Sequence, residues 1–438
     1  MTTVRKREGQ ALGVGLLGLG VVGGGVATAL LQKADQIRHR LGVSIVIRKA
    51  LVRDPQKHRS AQIPPKLITT HPEEVLQDPD IAIVIEVLGG EHPALELISE
   101  ALERGKHVVT ANKEVMAKHG PRLLSLANQK GVQLLFEASV GGGVPIIGPL
   151  LKDLAANEIS AIHAIINGTT NYILTSMSQQ GLPFATALRQ AQELGYAEAD
   201  PTNDIEGVDA VYKLAILATL AFRTSVHPSQ VYREGITRVE AKDFRYAQEL
   251  GYTIKLLAIA RKANGAVQLR VHPAFVPQDH LLAKVDGVFN AVEVQGDLVG
   301  RVLFHGRGAG AEPTSSAIVA DVLEIARNAV GGVSAPPFPD LGGETVIRPI
   351  EELTTGYYLR MVVEDTAGVL HQISGIFADL DISIASVIQK ETDAGTAEIV
   401  VTTHPSREAA VQEALRRLAT LRIVKRVSNC IRIEDLSA

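Results

Sequence analysis

Ala11–Leu17 is a short apolar run that leads directly into Gly18-Leu19-Gly20-Val21-Val22-Gly23, and an apolar-periodic segment, VATALLQKADQIRHRL, follows. Strand, glycine turn, helix is the context in which G-x-G-x-x-G becomes a dinucleotide fingerprint. The glycines let the main chain approach a pyrophosphate, and the helix N-terminus offers free N–H groups and the positive end of a dipole. The pattern then repeats. Ile81–Val87 is a continuous apolar run, as expected of a parallel strand covered on both faces. Leu88-Gly89-Gly90 ends it, a helix is expected from Pro93 to Arg104, and Lys106–Val109 begins the next strand. This alternation predicts a doubly wound α/β sheet of the Rossmann type, with ligands beyond the strands' carboxyl ends. Gly89 and the turn Thr110-Ala111-Asn112-Lys113 fall there.

The second strand, Val43–Val52, ends where such domains meet the adenosine ribose. Arg53 follows, then Asp54, with Lys57 beyond. Arg53 and Lys57 suit a 2′-phosphate and favour NADP, whereas Asp54 leaves NAD open.

At 438 residues the chain is expected to hold two or three domains. A net charge of −4, with both signs interspersed, gives no footprint for nucleic acid or an anionic membrane, so small molecules are the expected partners. Cys430 is the sole cysteine, which rules out an intrachain disulfide and fits a reducing compartment. The basic opening, MTTVRKREGQ, lacks the apolar stretch of a signal peptide, and no run is apolar enough to span a bilayer. A cytoplasmic protein is expected.

Leu134–Phe136 opens EASVGGGVPIIGPL, an irregular loop whose exposed carbonyls and Glu137 suit either a hard cation or a hinge. From Ile159 the alternation changes. Ile159–Ile166 reads as a strand, Asn167–Asn171 as a polar turn, and Ala241–Lys262 as a helix. Strands follow at Gln268–Val276, Lys284–Val294 and Leu298–His305, then Gly306-Arg-Gly308-Ala-Gly310 and a helix over Pro313–Asn328. An α+β substrate domain with an open sheet available to a second subunit is expected. Gly331–Pro349 reads as a linker. Beyond it the segments spell βαββαβ, the ferredoxin-like order.

Ala191–Lys213, AQELGYAEADPTNDIEGVDAVYK, has too many carboxylates for a core segment: Glu198, Asp200, Asp204, Glu206 and Asp209 precede Lys213 and an apolar helix. Asp209 and Lys213 are four residues apart and project from one helix face. The pair alone is ordinary, but Gly195, Pro201 and Gly207 fix its approach. The spacing A-x3-G-Y-A-x2-D-P-x2-D-I-x-G-x-D-x3-K resembles the signature of homoserine dehydrogenases. T-A-N-K, E-A-S-V-G-G-G, N-G-T-T-N and G-R-G-A-G are similar to that family's motifs in the same order, and EDTAGVLHQISGIFADLDISIASVIQ resembles an ACT domain, a regulatory amino-acid-binding module.

The resemblance implies NAD(P)-linked interconversion of L-homoserine and L-aspartate 4-semialdehyde, in threonine, methionine and isoleucine biosynthesis. Lys213 is then the proton donor, with Asp209 orienting substrate or lysine and Lys113 at the reacting end. Glu198, helped by Asp204, holds the α-amino group, and Gly168, Thr169 and Tyr196 complete the substrate side. Cofactor contacts fall to Gly18, Gly20, Val21, Val22, Gly23, Arg53, Lys57, Gly89, Lys113, Gly195 and Gly310. A monovalent cation, sodium, is implied at Glu137, Val140, Gly142 and Val144. The expected division is a cofactor domain over 1–145 completed by a helix over 311–330, a catalytic and dimerisation domain over 146–310, a linker over 331–350 and an ACT domain over 356–433. The ACT tail implies an amino-acid effector, with threonine leading, bound near Glu364–Gly368, and a homodimer or homotetramer. A related semialdehyde or amino-acid dehydrogenase, or an amino-acid sensor with an inert dehydrogenase portion, is the alternative.

Overall fold

The computed structural model describes residues 11–57, 63–332, 337–338, 341, 343, 345–393 and 395–436. The basic opening and part of the expected linker lie outside them. The chain forms two compact units: Met1–Ser160 with Tyr212–Ser229 and Asn290–Glu344, and Ala161–Val211 with Gln230–Phe289 and Thr345–Ala438.

The first unit is built on a six-stranded parallel sheet of β1 (Leu12–Leu17), β2 (Ile45–Leu51), β3 (Ile68–Thr69), β4 (Ile81–Glu86), β5 (His107–Thr110) and β6 (Leu134–Leu135). The order β3-β2-β1-β4-β5-β6 reverses direction between β1 and β4, which leaves a crevice beyond their carboxyl ends. The helices Val21–Gln32 and Ala311–Gly331 cover one face, with Val26, Leu30, Ile318, Val322 and Ile325 packed into one core with Val14, Leu16, Ile83 and Ile85. A helix from near the end of the middle segment is thus part of the first unit's core.

In the second unit the strands run Ile159–Ile165, Tyr252–Ala263, Ala266–Pro277, Val424–Ile433, Thr354–Glu364, Thr396–Thr403 and Ile384–Asp393. The expected helix over Ala241–Lys262 is half wrong. It ends at Glu249, and Tyr252–Ala263 is a strand paired antiparallel with Ala266–Pro277. Gly251, at φ 84°, stops the helix, and Asn264 and Gly265, both at positive φ, make the two-residue turn such a hairpin prefers. Asn167–Asn171 is not a free turn either: the Asn167 side chain caps the helix Gly168–Gln180 by accepting the Thr170 N–H.

The tail has the βαββαβ order, and its helices Val369–Asp379 and Glu408–Thr420 pack on one face of its sheet around Phe377, Ile373, Val411 and Leu418. Its last strand pairs in parallel with Ala266–Pro277, Ala274 opposite Arg432 and Phe275 opposite Ile433. Buried ion pairs join the same segments. Arg360, fully buried, meets Asp243 at 2.7 Å and Glu398 at 3.1 Å, and Arg270 meets Glu434 at 2.7 Å. Among the described residues no helix is long and apolar enough to cross a membrane.

Candidate active site

The glycine turn is shaped by close approach. A Cβ on Gly23 would stand 2.3 Å from the Gly18 carbonyl oxygen, so only glycine lets the helix start against the end of β1. Gly20, by contrast, has open space around it, and the helix Val21–Gln32 begins immediately after it. Its first residue, Val21, is 79% exposed, and Val22 packs against the core. Free N–H groups beside an open glycine fit a pyrophosphate. A pocket of about 530 Å³ lies there, lined by Gly18, Gly20, Val21, Arg53, Lys57 and Leu88, among others. Arg53 and Lys57 therefore stand in the pocket that holds the turn, as does Asp54, whose Oδ1 accepts the Gln56 N–H.

Gly89 and Gly90 both adopt positive φ after β4. Asn112 reaches across from the end of β5: its Nδ2 donates to the Gly90 carbonyl at 2.7 Å, and its Oδ1 caps the helix Lys113–Lys130 through the Val115 N–H. Lys113 is consequently the first helical residue, fixed next to that cap. Sequence reasoning missed Glu86. Fully buried at the end of β4, it accepts from the Leu88 N–H and the Thr110 hydroxyl, and so ties the β4 and β5 loops together. Burial pushes its carboxyl up, against the pull of those donors. A lone carboxylate closing an otherwise apolar run was the available signal.

Glu137 uses its carboxylate as a helix cap. Oε1 accepts from the Ile146 and Ile147 N–H groups and Oε2 from that of Gly148. Its side chain is therefore committed to the N-terminus of Ile147–Leu151, while Val140, Gly142 and Val144 are buried and, among the described residues, no loop or turn N–H donates to their carbonyl oxygens. Buried carbonyls that no described loop N–H engages fit a hard monovalent cation; the carboxylate is engaged elsewhere. Gly310, at φ 116°, precedes the helix Ala311–Gly331.

In the second unit, Asn167 gathers two acids. Its Nδ2 donates to Asp204 at 2.6 Å and to Asp209 at 2.9 Å, and Asp209 is only 4% exposed. The short helix Thr202–Ile205 and the start of Val208–Phe222 supply them. Gly168 opens the adjoining helix, and Thr169, buried, donates to the Tyr196 carbonyl at 2.7 Å. Gly195 takes positive φ just before Tyr196, whose ring lies 5.0 Å from that of Tyr172. Glu198 is exposed. Asn167 itself is a site residue the sequence reading left inside a turn. Lys213 follows Asp209 by one turn on Val208–Phe222 and is half-buried.

Family profiles match in three places: Homoserine dehydrogenase, NAD binding domain, over residues 18–137; Homoserine dehydrogenase over 145–323; and ACT domain over 357–421. A homoserine dehydrogenase of Neisseria gonorrhoeae is 44% identical over 435 residues, covering 98% of this chain and 99% of its own. One of Synechocystis is 45% identical over 429 residues, covering 96% and 99%. The crystal structure of a homoserine dehydrogenase from Thiobacillus denitrificans matches with a TM-score of 0.92 at 45% identity, covering 98% of this chain and all of that one. A hyperthermophilic archaeal homoserine dehydrogenase in complex with NADPH matches with a TM-score of 0.63 at 28% identity, covering 76% and 99%. With a glycine turn built for a dinucleotide, a carboxylate cluster one turn before a lysine and relatives matched end to end, the chain belongs to the homoserine dehydrogenase family.

Proposed function

We propose that the chain interconverts L-homoserine and L-aspartate 4-semialdehyde with NADP, through Lys213 as the proton donor and acceptor. The observation that carries this is the acidic cluster of Asp204 and Asp209 on Asn167, one helical turn before Lys213. Two carboxylates sharing one amide make an anionic centre that a substrate ammonium neutralises. Asp204 and Glu198 take that ammonium, and Asp209 orients Lys213 or the substrate. When bound, the nicotinamide supplies or accepts the hydride at the carbonyl carbon. Lys213 gives a proton to the oxygen as it gains charge and takes one back in the oxidation, a role suited to an ammonium in a partly buried setting. Lys113, fixed by the Asn112 cap, stands at the reacting end. Gly18, Gly20 and Gly23 hold the pyrophosphate, with Arg53 and Lys57 on the 2′-phosphate. The carbonyls of Val140, Gly142 and Val144 hold a sodium ion.

The tail takes an amino-acid effector, threonine first among candidates, with Glu364–Gly368 at its first loop. A homodimer or homotetramer in the cytoplasm is the working form. Purified protein, homoserine and NADP, followed by the near-ultraviolet absorbance of the reduced nicotinamide, test the reading, with NAD, threonine and malate beside them. Lys213→Ala is expected to lower kcat by about 10²–10⁴-fold with cofactor affinity intact. Turnover of malate or threonine in place of homoserine, or equal losses in cofactor binding, would overturn it.

A further inference from the structure

Glu91, Glu114, Lys118, His119 and Tyr212 form a second polar cluster, separate from the glycine turn and from the carboxylates on Asn167. All five belong to the first unit, and all are half-buried. They come from three elements. Glu91 lies in the loop after β4, Glu114, Lys118 and His119 on the helix Lys113–Lys130, and Tyr212 on Val208–Phe222.

Lys118 is the centre. Its Nζ donates to Glu91 Oε2 at 2.7 Å and to Glu114 Oε1 at 2.7 Å, the second an i,i+4 pair in the favoured order, acid before base. His119 Nε2 meets the other Glu91 oxygen at 2.7 Å. Tyr212 is held to the same centre in two ways. Lys118 Nζ stands 5.7 Å from the centroid of its ring, and its hydroxyl donates to Glu114 Oε1 at 3.4 Å. Lys118, then His119, hold the Glu91 carboxyl down, at about 2, and Glu114 and Glu91 push the Lys118 ammonium up. The charges that make the cluster therefore persist across the neutral range. A lone exposed pair would contribute little, but one ammonium here joins two carboxylates and a ring from three elements.

What these residues adjoin gives the cluster its meaning. Glu91 follows Gly90, whose carbonyl receives the Asn112 amide. Glu114 follows Lys113, and Tyr212 precedes Lys213. The contact of Glu114 and Lys118 with Tyr212 thus joins the residue after one lysine to the residue before the other. Both lysines are assigned above to the reacting end, where two ammonium groups repel, so their spacing has to be imposed by what surrounds them.

We propose that Lys118 and Tyr212 are positioning residues for the dehydrogenase reaction, docking the Tyr212–Lys213 segment on the start of the helix Lys113–Lys130 and so setting Lys213 against Lys113. The proposal rests on the reading of Lys213 as proton donor and acceptor. A displacement of about 1 Å at a reacting group can cost about 10²-fold in rate. The substrate ammonium is assigned to other residues, Asp204 and Glu198, so affinity for homoserine is not expected to follow.

Steady-state oxidation of homoserine by the full-length protein tests it, with Lys118→Met, Lys118→Arg, Tyr212→Leu, Lys213→Ala and the double variant Lys118→Met with Lys213→Ala. Fluorescence titration with NADPH and Tm are read beside the kinetics. Glu100→Gln, which breaks the exposed Arg104–Glu100 pair at 2.7 Å on a neighbouring helix, is the control and is expected to keep kcat. Lys118→Met and Tyr212→Leu are each expected to lower kcat about tenfold or more, with KM for homoserine and NADPH affinity within about twofold. Lys118→Arg, which keeps the charge, is expected to recover most of the loss. Because the cluster acts through Lys213, Lys118→Met is expected to cost less than about twofold once Lys213→Ala is present. An undiminished kcat in both single variants overturns the proposal. So does a loss equally large with and without Lys213, or one matched by loss of NADPH affinity, since the cluster would then only hold the fold. If Lys213→Ala lowers kcat and the cluster variants do not, the proposal falls alone; if Lys213→Ala leaves kcat unchanged, the proton-donor reading falls and takes the proposal with it.

Discussion

Asp243→Ala is expected to remove one side of a buried charge cluster and to destabilise the second unit as a whole. Asp243 and Arg360 are both fully buried. The Asp243 carboxylate accepts from Arg360 Nε at 2.7 Å, the Tyr358 hydroxyl at 2.9 Å, Asn429 Nδ2 at 2.9 Å and the Glu240 N–H at 2.9 Å. Loss of one partner of a buried ion pair typically costs about 3–5 kcal/mol, because the remaining charge stays out of water uncompensated. Arg360 retains Glu398 at 3.1 Å and Glu240 at 3.0 Å, which places the cost near the lower end, about 3 kcal/mol. For a unit of this size that corresponds to a fall in Tm of roughly 6–12 °C. Calorimetry and circular dichroism are the assays, with Asp243→Asn, which keeps the shape and loses the charge, expected between the two. A fall below about 1 kcal/mol would refute the reasoning. So would a separate early transition confined to the tail, since the pairing at Ala274 and Phe275 requires tail and middle segment to melt together. By the same logic, truncation near Pro349 strips Asp243 and Arg270 of their partners and is expected to destabilise what remains, not merely to remove a regulatory module.

Arg53→Ala is expected to shift preference toward NAD by removing a partner of the 2′-phosphate, and equal changes in KM for NADP and NAD would sink that role. Glu198→Gln is expected to raise KM for homoserine with a smaller effect on kcat, checked by steady-state kinetics. Gly23→Ala, whose Cβ would stand 2.3 Å from the Gly18 oxygen, is expected to weaken NADPH binding at least about tenfold in a fluorescence titration. Burial pushes the Glu434 carboxyl up, but Arg270 and His272 outweigh it and hold it well below the usual carboxylate range. A depressed folded-state pKa means stability that is present above the unfolded value and lost as pH falls toward the folded one. Glu434→Gln is therefore expected to be clearly destabilising at pH near 7 and progressively less so below about pH 4, as read by Tm across pH.

The first unit was legible because each of its steps leaves a mark on the chain: apolar runs for two-sided strands, glycine where the main chain bends or closes in, a periodic helix after each. Glu86 escaped because Thr110, the partner that ties it to the next strand, lies 24 residues away and is brought to it by the sheet order, which no local window contains. Tyr252–Ala263 was misread because a strand buried along most of its length has no period to separate it from a buried helix; Asn264-Gly265 was the mark that settles it. Asn167 reads locally as the start of a polar turn; the structure makes it a helix cap, and its second task, bridging Asp204 and Asp209, depends on residues 37 and 42 positions away. Arg270, Arg360 and Arg432 look like ordinary surface charges in sequence. Their burial follows only once the tail's strands lie beside the middle segment's.

That neighbouring has a consequence for how the protein is made. Ala274 finds its partner in Arg432, so the ribosome adds 158 residues (432 − 274) between one edge and the other. At about 5–20 residues per second, that edge waits roughly 8–32 s for its mate, exposed to any other nascent strand. Pro273 sits in it, and a proline that cannot donate to a ladder is a poor template for a stranger. Pro273→Val is accordingly expected to lower the soluble yield of newly synthesised chain more than it lowers the Tm of chain already folded. Equal effects on both would tie Pro273 to the finished fold alone.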